Sequence, residues 1–146
     1  MAANAVEEKP KACAEPEGKA RIEDMTPCEL GIRGERAAER YLRMRGYEII
    51  ENNWTCFAGE ADIIARDGDC IVFVEVKTRS NLNVGLPEEA VDAHKKARYE
   101  KIAACYLREM EQGFDEVPVR FDVIGLLVVS SDRALVRHHI NAFGQL

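Results

Sequence analysis

The chain has 146 residues, is 47% hydrophobic and 32% charged, and carries a formal net charge of −6. Those proportions fit one globular domain; no apolar run approaches the roughly 20 residues that span a bilayer, and the first residues lack the apolar core of a signal peptide, so a cytoplasmic location away from any membrane is the default expectation. Five cysteines, with no CxxC spacing, argue against a disulfide framework or a structural zinc and for reduced thiols.

Residues 1–27 are rich in Ala, Glu, Lys and Pro without hydrophobic periodicity and read as a disordered tail, which leaves 28–146 as the folded domain. From Gly31 to Arg45 the spacing predicts a helix: Ala38, Tyr41, Leu42 and Arg45 share a face, Glu35 borders it, and Gly46 supplies the stop. Short strands follow at Tyr47–Glu51, Ala61–Ala65 and Cys70–Thr78, the last two joined by a hairpin at Asp67-Gly68. Trp54 and Phe57 fall in the loop before that hairpin; they could stack on unpaired bases, but core packing is the simpler reading. Asn81–Pro87 reads as a loop. Pro87 to about Glu111 reads as a long helix, with Tyr99, Ile102, Ala103, Tyr106 and Met110 on its core face. Val119–Ser130 and Ala134–Ile140 close the chain as strands, the second at an edge. The order αβββαβ describes an α/β domain with a sheet between helices.

The stretch CIVFVEVKTRS, Cys70 to Ser80, places an acid and a base in an apolar strand. Alternation puts Ile71, Phe73, Glu75 and Lys77 on one face and Val72, Val74 and Val76 on the other. A turn at Asp67-Gly68 pairs Arg66 with Asp69 and sets Asp62 opposite Phe73, diagonal to Glu75 at about 7–8 Å between backbones. In the same register Glu60 falls opposite Glu75. Side-by-side carboxylates repel, and a hard divalent cation such as magnesium or manganese resolves the conflict by taking oxygens from both. Such an ion, with Lys77 to orient water or steady phosphate charge, supplies the parts for phosphodiester hydrolysis. Periodicity alone supports a solvent-facing ion pair equally well. The net charge of −6 argues against a nucleic-acid partner, but bound divalent cations would reverse the sign locally.

The pattern Asp62, then Glu75-Val76-Lys77, resembles the PD-(D/E)xK nuclease superfamily, and its surroundings are similar to the bacterial YraN family of endonuclease-like proteins. The likeness runs through Gly34-Glu35, Ala38, Tyr41-Leu42, Gly46-Tyr47 and Asn53, then Gly59 to Ala65 and Asp67-Gly68. It continues through VFVEVKTR, Gly85, Pro87, Glu89-Ala90-Val91, Lys95, Arg98, Arg120 to Val123, and Asn141-Ala142-Phe143. Ala61 departs from the pattern, standing where the superfamily's name has Pro and the YraN pattern has Ile.

The resemblance implies a restriction-endonuclease-like mixed sheet flanked by helices, close to archaeal Holliday-junction resolvases. It implies that Asp62, Glu75 and the Val76 carbonyl hold Mg2+ or Mn2+, that Lys77 positions the attacking water, and that Glu35 completes the metal site or holds a second ion. Thr78, Arg79, Lys95 and Arg98 are the expected nucleic-acid contacts, with a solvated helix face as the alternative and the preferred reading for Lys96 and Lys101. DNA, branched or single-stranded, is the expected substrate of the implied hydrolase, and a non-catalytic nucleic-acid-binding module on the same scaffold is the alternative. A homodimer is compatible with the sequence. Asp122, flanked by apolar residues, reads as a buried partner to an arginine, and His138 and His139 read as edge-strand residues.

Overall fold

The computed structural model describes residues 24–80, 93–112 and 116–143. The element order is α1 (Pro27–Met44), β1 (Glu48–Cys56), β2 (Gly59–Asp67), β3 (Cys70–Arg79), α2 (Ala93–Glu109), β4 (Val119–Ser130) and β5 (Arg133–His139). Five strands form one sheet in the order β1-β2-β3-β4-β5. β3 and β4 run parallel and the other neighbours antiparallel, with α2 lying between β3 and β4 in the chain. This is the expected α/β domain, a mixed sheet between two helices, consistent with a restriction-endonuclease-like core. Among the described residues no helix is long and apolar enough to cross a membrane. The expected tail up to Arg21–Glu23, the loop Asn81–Pro87 and the start of the second helix at Pro87 lie outside the described residues, as do Gly85 and Glu89-Ala90-Val91.

The two faces of the sheet bury separate cores. Val72, Val74 and Val76 of β3 pack with Ala38 and Leu42 of α1. Ile71 and Phe73 pack with Tyr99, Ile102, Ala103, Tyr106 and Leu107 of α2. The helical stripe is therefore as expected, except that Met110 is exposed and Leu107 takes its place. α1 begins four residues before Gly31. Thr26 caps it in a capping box with Glu29, and Pro27 fills the first turn, where a missing N–H costs nothing. It ends as expected: Gly46 at φ 88 lets the Gly46 and Tyr47 amides bond back to the Arg43 and Leu42 carbonyls. Cys28, in the first turn of α1, is disulfide-bonded, against the expectation of five reduced thiols, whereas Cys56, Cys70 and Cys105 are free.

β1 runs five residues past the expected end at Glu51, to Cys56. Asn52-Asn53 has turn composition, but the strand absorbs it with a register shift between Ile49 and Glu51 and with Asn53 at φ 51. Trp54 is therefore a strand residue, packed edge-on against Tyr106 at 5.3 Å.

Asp122 is fully buried and fully used. Arg120 donates to both of its oxygens at 2.9 and 3.0 Å, His138 Nε2 lies 2.7 Å from Oδ2, and the Asn141 amide donates to Oδ1 at 2.9 Å. Arg120 also reaches Asp67 at 3.0 Å and the Tyr47 hydroxyl at 2.6 Å, and Tyr41 contacts His138 Nδ1 at 3.3 Å. The expected arginine partner of Asp122 is Arg120. His138 lies in edge strand β5 as expected, but its ring is drawn inward onto the carboxylate. Burial alone would raise the Asp122 carboxyl, yet hydrogen bonds from His138, Arg120 and the Asn141 amide outweigh it and hold the group below its ordinary 3.8.

A depressed native value means that Asp122 stabilises the fold fully above the ordinary value, and that this is lost as pH falls through the lowered one. Asp122→Asn is expected to cost about 3–5 kcal/mol near neutrality and to flatten the acid limb of a stability-versus-pH curve measured by urea denaturation. An unchanged acid limb would count against the network.

Candidate active site

The β2–β3 hairpin turns at Gly68-Asp69, not at Asp67-Gly68: Asp67 pairs with Cys70, and Gly68 has φ 62. Gly thus takes the first central position, as in a type II′ turn. The register moves by two residues, which brings Asp62 from the level of Phe73 to that of Glu75, and the alternation of β2 breaks there: Ile63 and Ala65 pack on the α1 side, Ala61 and Gly59 against α2. Glu60, between Gly59 and Ala61, is thereby turned to the face away from α2 and does not join Glu75 as the expected register had it.

The recorded ladder between β2 and β3 stops at the Ile63–Val74 pair. Beyond it, the Val76 amide donates to Asp62 Oδ2 at 2.8 Å, so a side chain takes over from the backbone where the strands part. Asp62 and Glu75 are each only 7% exposed. Buried carboxylates need partners, and Glu75 is ringed by cations: Lys95 Nζ lies 3.3 Å from Oε2, while Lys77 Nζ at 3.8 Å and Arg98 Nη2 at 3.9 Å approach Oε1. Three cations against two carboxylates leave this patch with a positive surplus despite the acidic chain. Burial lowers the Lys95 ammonium from its ordinary value, Lys77 and Arg98 lower it further, and Glu75 opposes them.

Tyr99 forms the floor. Its phenol is buried beside Glu75; burial, then the charges of Glu75 and Asp62, push it well above its ordinary value, so it stays protonated. Phe143 backs the Tyr99 ring at 5.3 Å, and Phe121 lies 6.1 Å from it. The Ala142 amide bonds to the Phe121 carbonyl at 2.8 Å, so the chain after β5 is pinned beneath the site. Sequence reading placed Tyr99 in the core only. Its position four residues after Lys95 and one after Arg98 was the available signal.

The expected site residues divide into two groups. Asp62, Glu75, Lys77, Lys95 and Arg98 converge, with Val76 contributing its amide to Asp62. Lys95 and Arg98 point at the carboxylate as well as outward, more deeply engaged than surface phosphate contacts would be. Arg79, exposed at the end of β3, shares the Glu75–Lys77 face by alternation. Thr78 does not: it lies on the α1 face against Gly34, where an added Cβ would come within 1.8 Å of its Oγ1. Glu35, half-buried on α1, stands beside that contact on the opposite side of the sheet from the carboxylates. Among the described residues no three Asp, Glu, His or Cys side chains gather to hold a metal, so Glu35 does not join the pair as a third ligand here.

The donors present nevertheless fit a hard divalent ion. Glu75 Oε2 is buried and, among the described residues, accepts no well-directed hydrogen bond. Magnesium commonly takes one or two carboxylates and completes its shell with water and substrate phosphate. A separate open groove of about 460 Å³, lined by Glu100, Val117, Pro118, Val119 and Phe121, lies towards the other end of β4 and contains none of the candidate residues.

The fold and site therefore define an α/β protein with a buried acidic pair in a basic collar at one end of its parallel strand pair. Residues 34–126 match the model of the uncharacterised protein family UPF0102. The chain is 44% identical over 114 residues to a UPF0102 protein of Geobacter sulfurreducens, covering 78% of this chain and 88% of that one. It is 47% identical over 109 residues to one of Beutenbergia cavernae, with coverage of 75% and 91%. A third, from Caldanaerobacter subterraneus subsp. tengcongensis, is 44% identical over 116 residues, with coverage of 78% and 93%. This chain belongs to the UPF0102 family, to which its YraN-like pattern pointed.

Tyr99→Phe tests the floor of the site without any ligand. Removing the buried phenol from beside the Glu75 carboxylate is expected to lower unfolding free energy by about 1 kcal/mol or more, read by urea denaturation. A neutral substitution would show that the phenol does not hold Glu75.

Proposed function

We propose that this protein is a divalent-metal-dependent nuclease of the PD-(D/E)xK type, hydrolysing phosphodiester bonds in branched or single-stranded DNA, with a cytoplasmic location to match. One observation carries the reading: Asp62 and Glu75 are both buried where β2 and β3 part, with Lys95 3.3 Å from one Glu75 oxygen and Lys77 3.8 Å from the other. Mg2+ or Mn2+ held by Asp62, Glu75 and the Val76 carbonyl would supply Lewis-acid charge at the phosphoryl oxygen and acidify a water.

The chain's own residues do the rest. Asp62 is oriented by the Val76 amide and Glu75 by Lys95, so both carboxylates are held before anything binds. Lys77, less buried than either acid, orients the attacking water and steadies negative charge at the phosphate. Lys95 and Arg98 pair with Glu75 in this state and are placed to turn their charge onto phosphate oxygens when DNA enters. Arg79 extends that charge to the sheet edge.

A second reading, a nucleic-acid-binding module that does not cleave, is favoured by two observations: among the described residues no third carboxylate joins the pair, and Lys95 already pairs with Glu75. A cleavage panel separates the two. Duplex, single-stranded, flap and four-way-junction DNA are incubated with Mg2+ or Mn2+. The wild type is expected to cut at least one of them, Glu75→Ala to cut none, and Lys77→Ala to cut about 10²–10⁴-fold more slowly. Equal cleavage by Glu75→Ala would remove the nuclease reading; salt-sensitive binding without cleavage on any substrate would establish the module.

A further inference from the structure

The β1–β2 hairpin closes with a two-residue tip, Phe57-Ala58, between the paired Cys56 and Gly59. Tips of this length ordinarily use Gly, Asn or Asp. Here the tip carries a phenylalanine that is 88% exposed, the one aromatic ring among the exposed large apolar residues described. Core packing, expected for Trp54 and Phe57 alike, holds for Trp54 and fails for Phe57. Ala58 instead turns towards the α2 core. Neither turn chemistry nor packing explains Phe57, although burying such a ring is worth about 1.5–3 kcal/mol.

The tip has a fixed position relative to the candidate site. α2 lies directly over Gly59: a Cβ there would sit 3.3 Å from Ile102 Cδ1 and 3.6 Å from Arg98 Cδ. The same Arg98 extends its guanidinium to 3.9 Å from Glu75 Oε1. One side chain therefore spans from the hairpin tip to the acidic pair, and Lys95, Arg98 and exposed Lys101 give α2 a basic track between them. Along β2, Phe57 lies roughly 16 Å from Asp62, five residues at about 3.3 Å each.

We propose that Phe57 is a base-stacking element for the DNA whose phosphate lies at Asp62–Glu75. Its ring stacks on an unstacked base a few nucleotides from that phosphate, while the basic track of α2 follows the intervening backbone. This rests on the nucleic-acid reading of the acidic site and deepens it, because a paired, continuous duplex offers no base face to Phe57. The substrate class is DNA with unpaired or splayed bases: single strands, flaps and open junction arms.

The test is equilibrium binding of the full chain to fluorescent oligodeoxynucleotides with EDTA present, read by anisotropy, so that cleavage plays no part. Phe57→Ser is expected to bind single-stranded and flap DNA roughly 5- to 100-fold more weakly, the size of one lost base stack, with duplex affinity unchanged. Phe57→Trp is expected to restore binding. Phe57 is exposed, so both variants should melt with the wild type. Wild-type-like affinity of Phe57→Ser for single strands, or an equal loss on continuous duplex, overturns the proposal. Absence of cleavage in the metal panel with this selective loss intact would remove the nuclease reading and leave the stacking role standing.

Discussion

A carboxylate buried on the face of a sheet must be answered by cations or by a ligand, and Glu75 is the group around which this structure is arranged. Its strand is central, paired on both edges, and its valine face is sealed by α1. The other face meets α2, which brings Lys95, Arg98 and Tyr99 down onto Glu75 within little more than one helical turn. Asp62 arrives from the neighbouring strand where the ladder ends. Each of these placements follows from a crossover helix lying on the carboxylate face, and a site built this way rests on rigid elements.

β4 ties this arrangement to the rest of the domain. On the α1 face its Asp122 gathers Arg120, His138 and the Asn141 amide; on the α2 face its Phe121 packs among Tyr99, Phe73 and Phe143. The chain after β5 therefore bonds to Asp122 on one side and inserts Phe143 behind Tyr99 on the other. Asn141-Ala142-Phe143 acts as a clasp at the end of the fold: it satisfies a buried acid and backs the Tyr99 ring beside Glu75.

Much of the site was legible because alternation holds along β3, so Glu75 and Lys77 share a face whatever the neighbours do. The break in alternation of β2 at Asp62, where Ala61 and Ile63 pack on opposite sides, was not legible. The exact pairing was not legible, since Asp-Gly and Gly-Asp both suit a two-residue turn and differ by two residues in register. Lys95, Arg98 and Tyr99 could be named as helix residues, but their convergence on Glu75 depends on which face α2 covers, which the parallel β3–β4 pairing decides. Glu35 shows the same limit from the other side. Helical periodicity placed it beside an apolar face, and that face turned out to pack on the valines opposite the carboxylates. The early start of α1 was written in Thr26-Pro27-Cys28-Glu29, a capping signal obscured by the low-complexity tail before it.

The most direct measurement of whether Asp62 and Glu75 form a metal centre is calorimetric titration of the full chain with Mn2+, alongside Asp62→Asn and Glu75→Gln. Saturable binding by the wild type, weakened at least about tenfold in each variant, as expected when a pair of carboxylates supplies the protein's ligands, is the predicted result. Mn2+ affinity unchanged by both substitutions, or no saturable binding by the wild type, would contradict it.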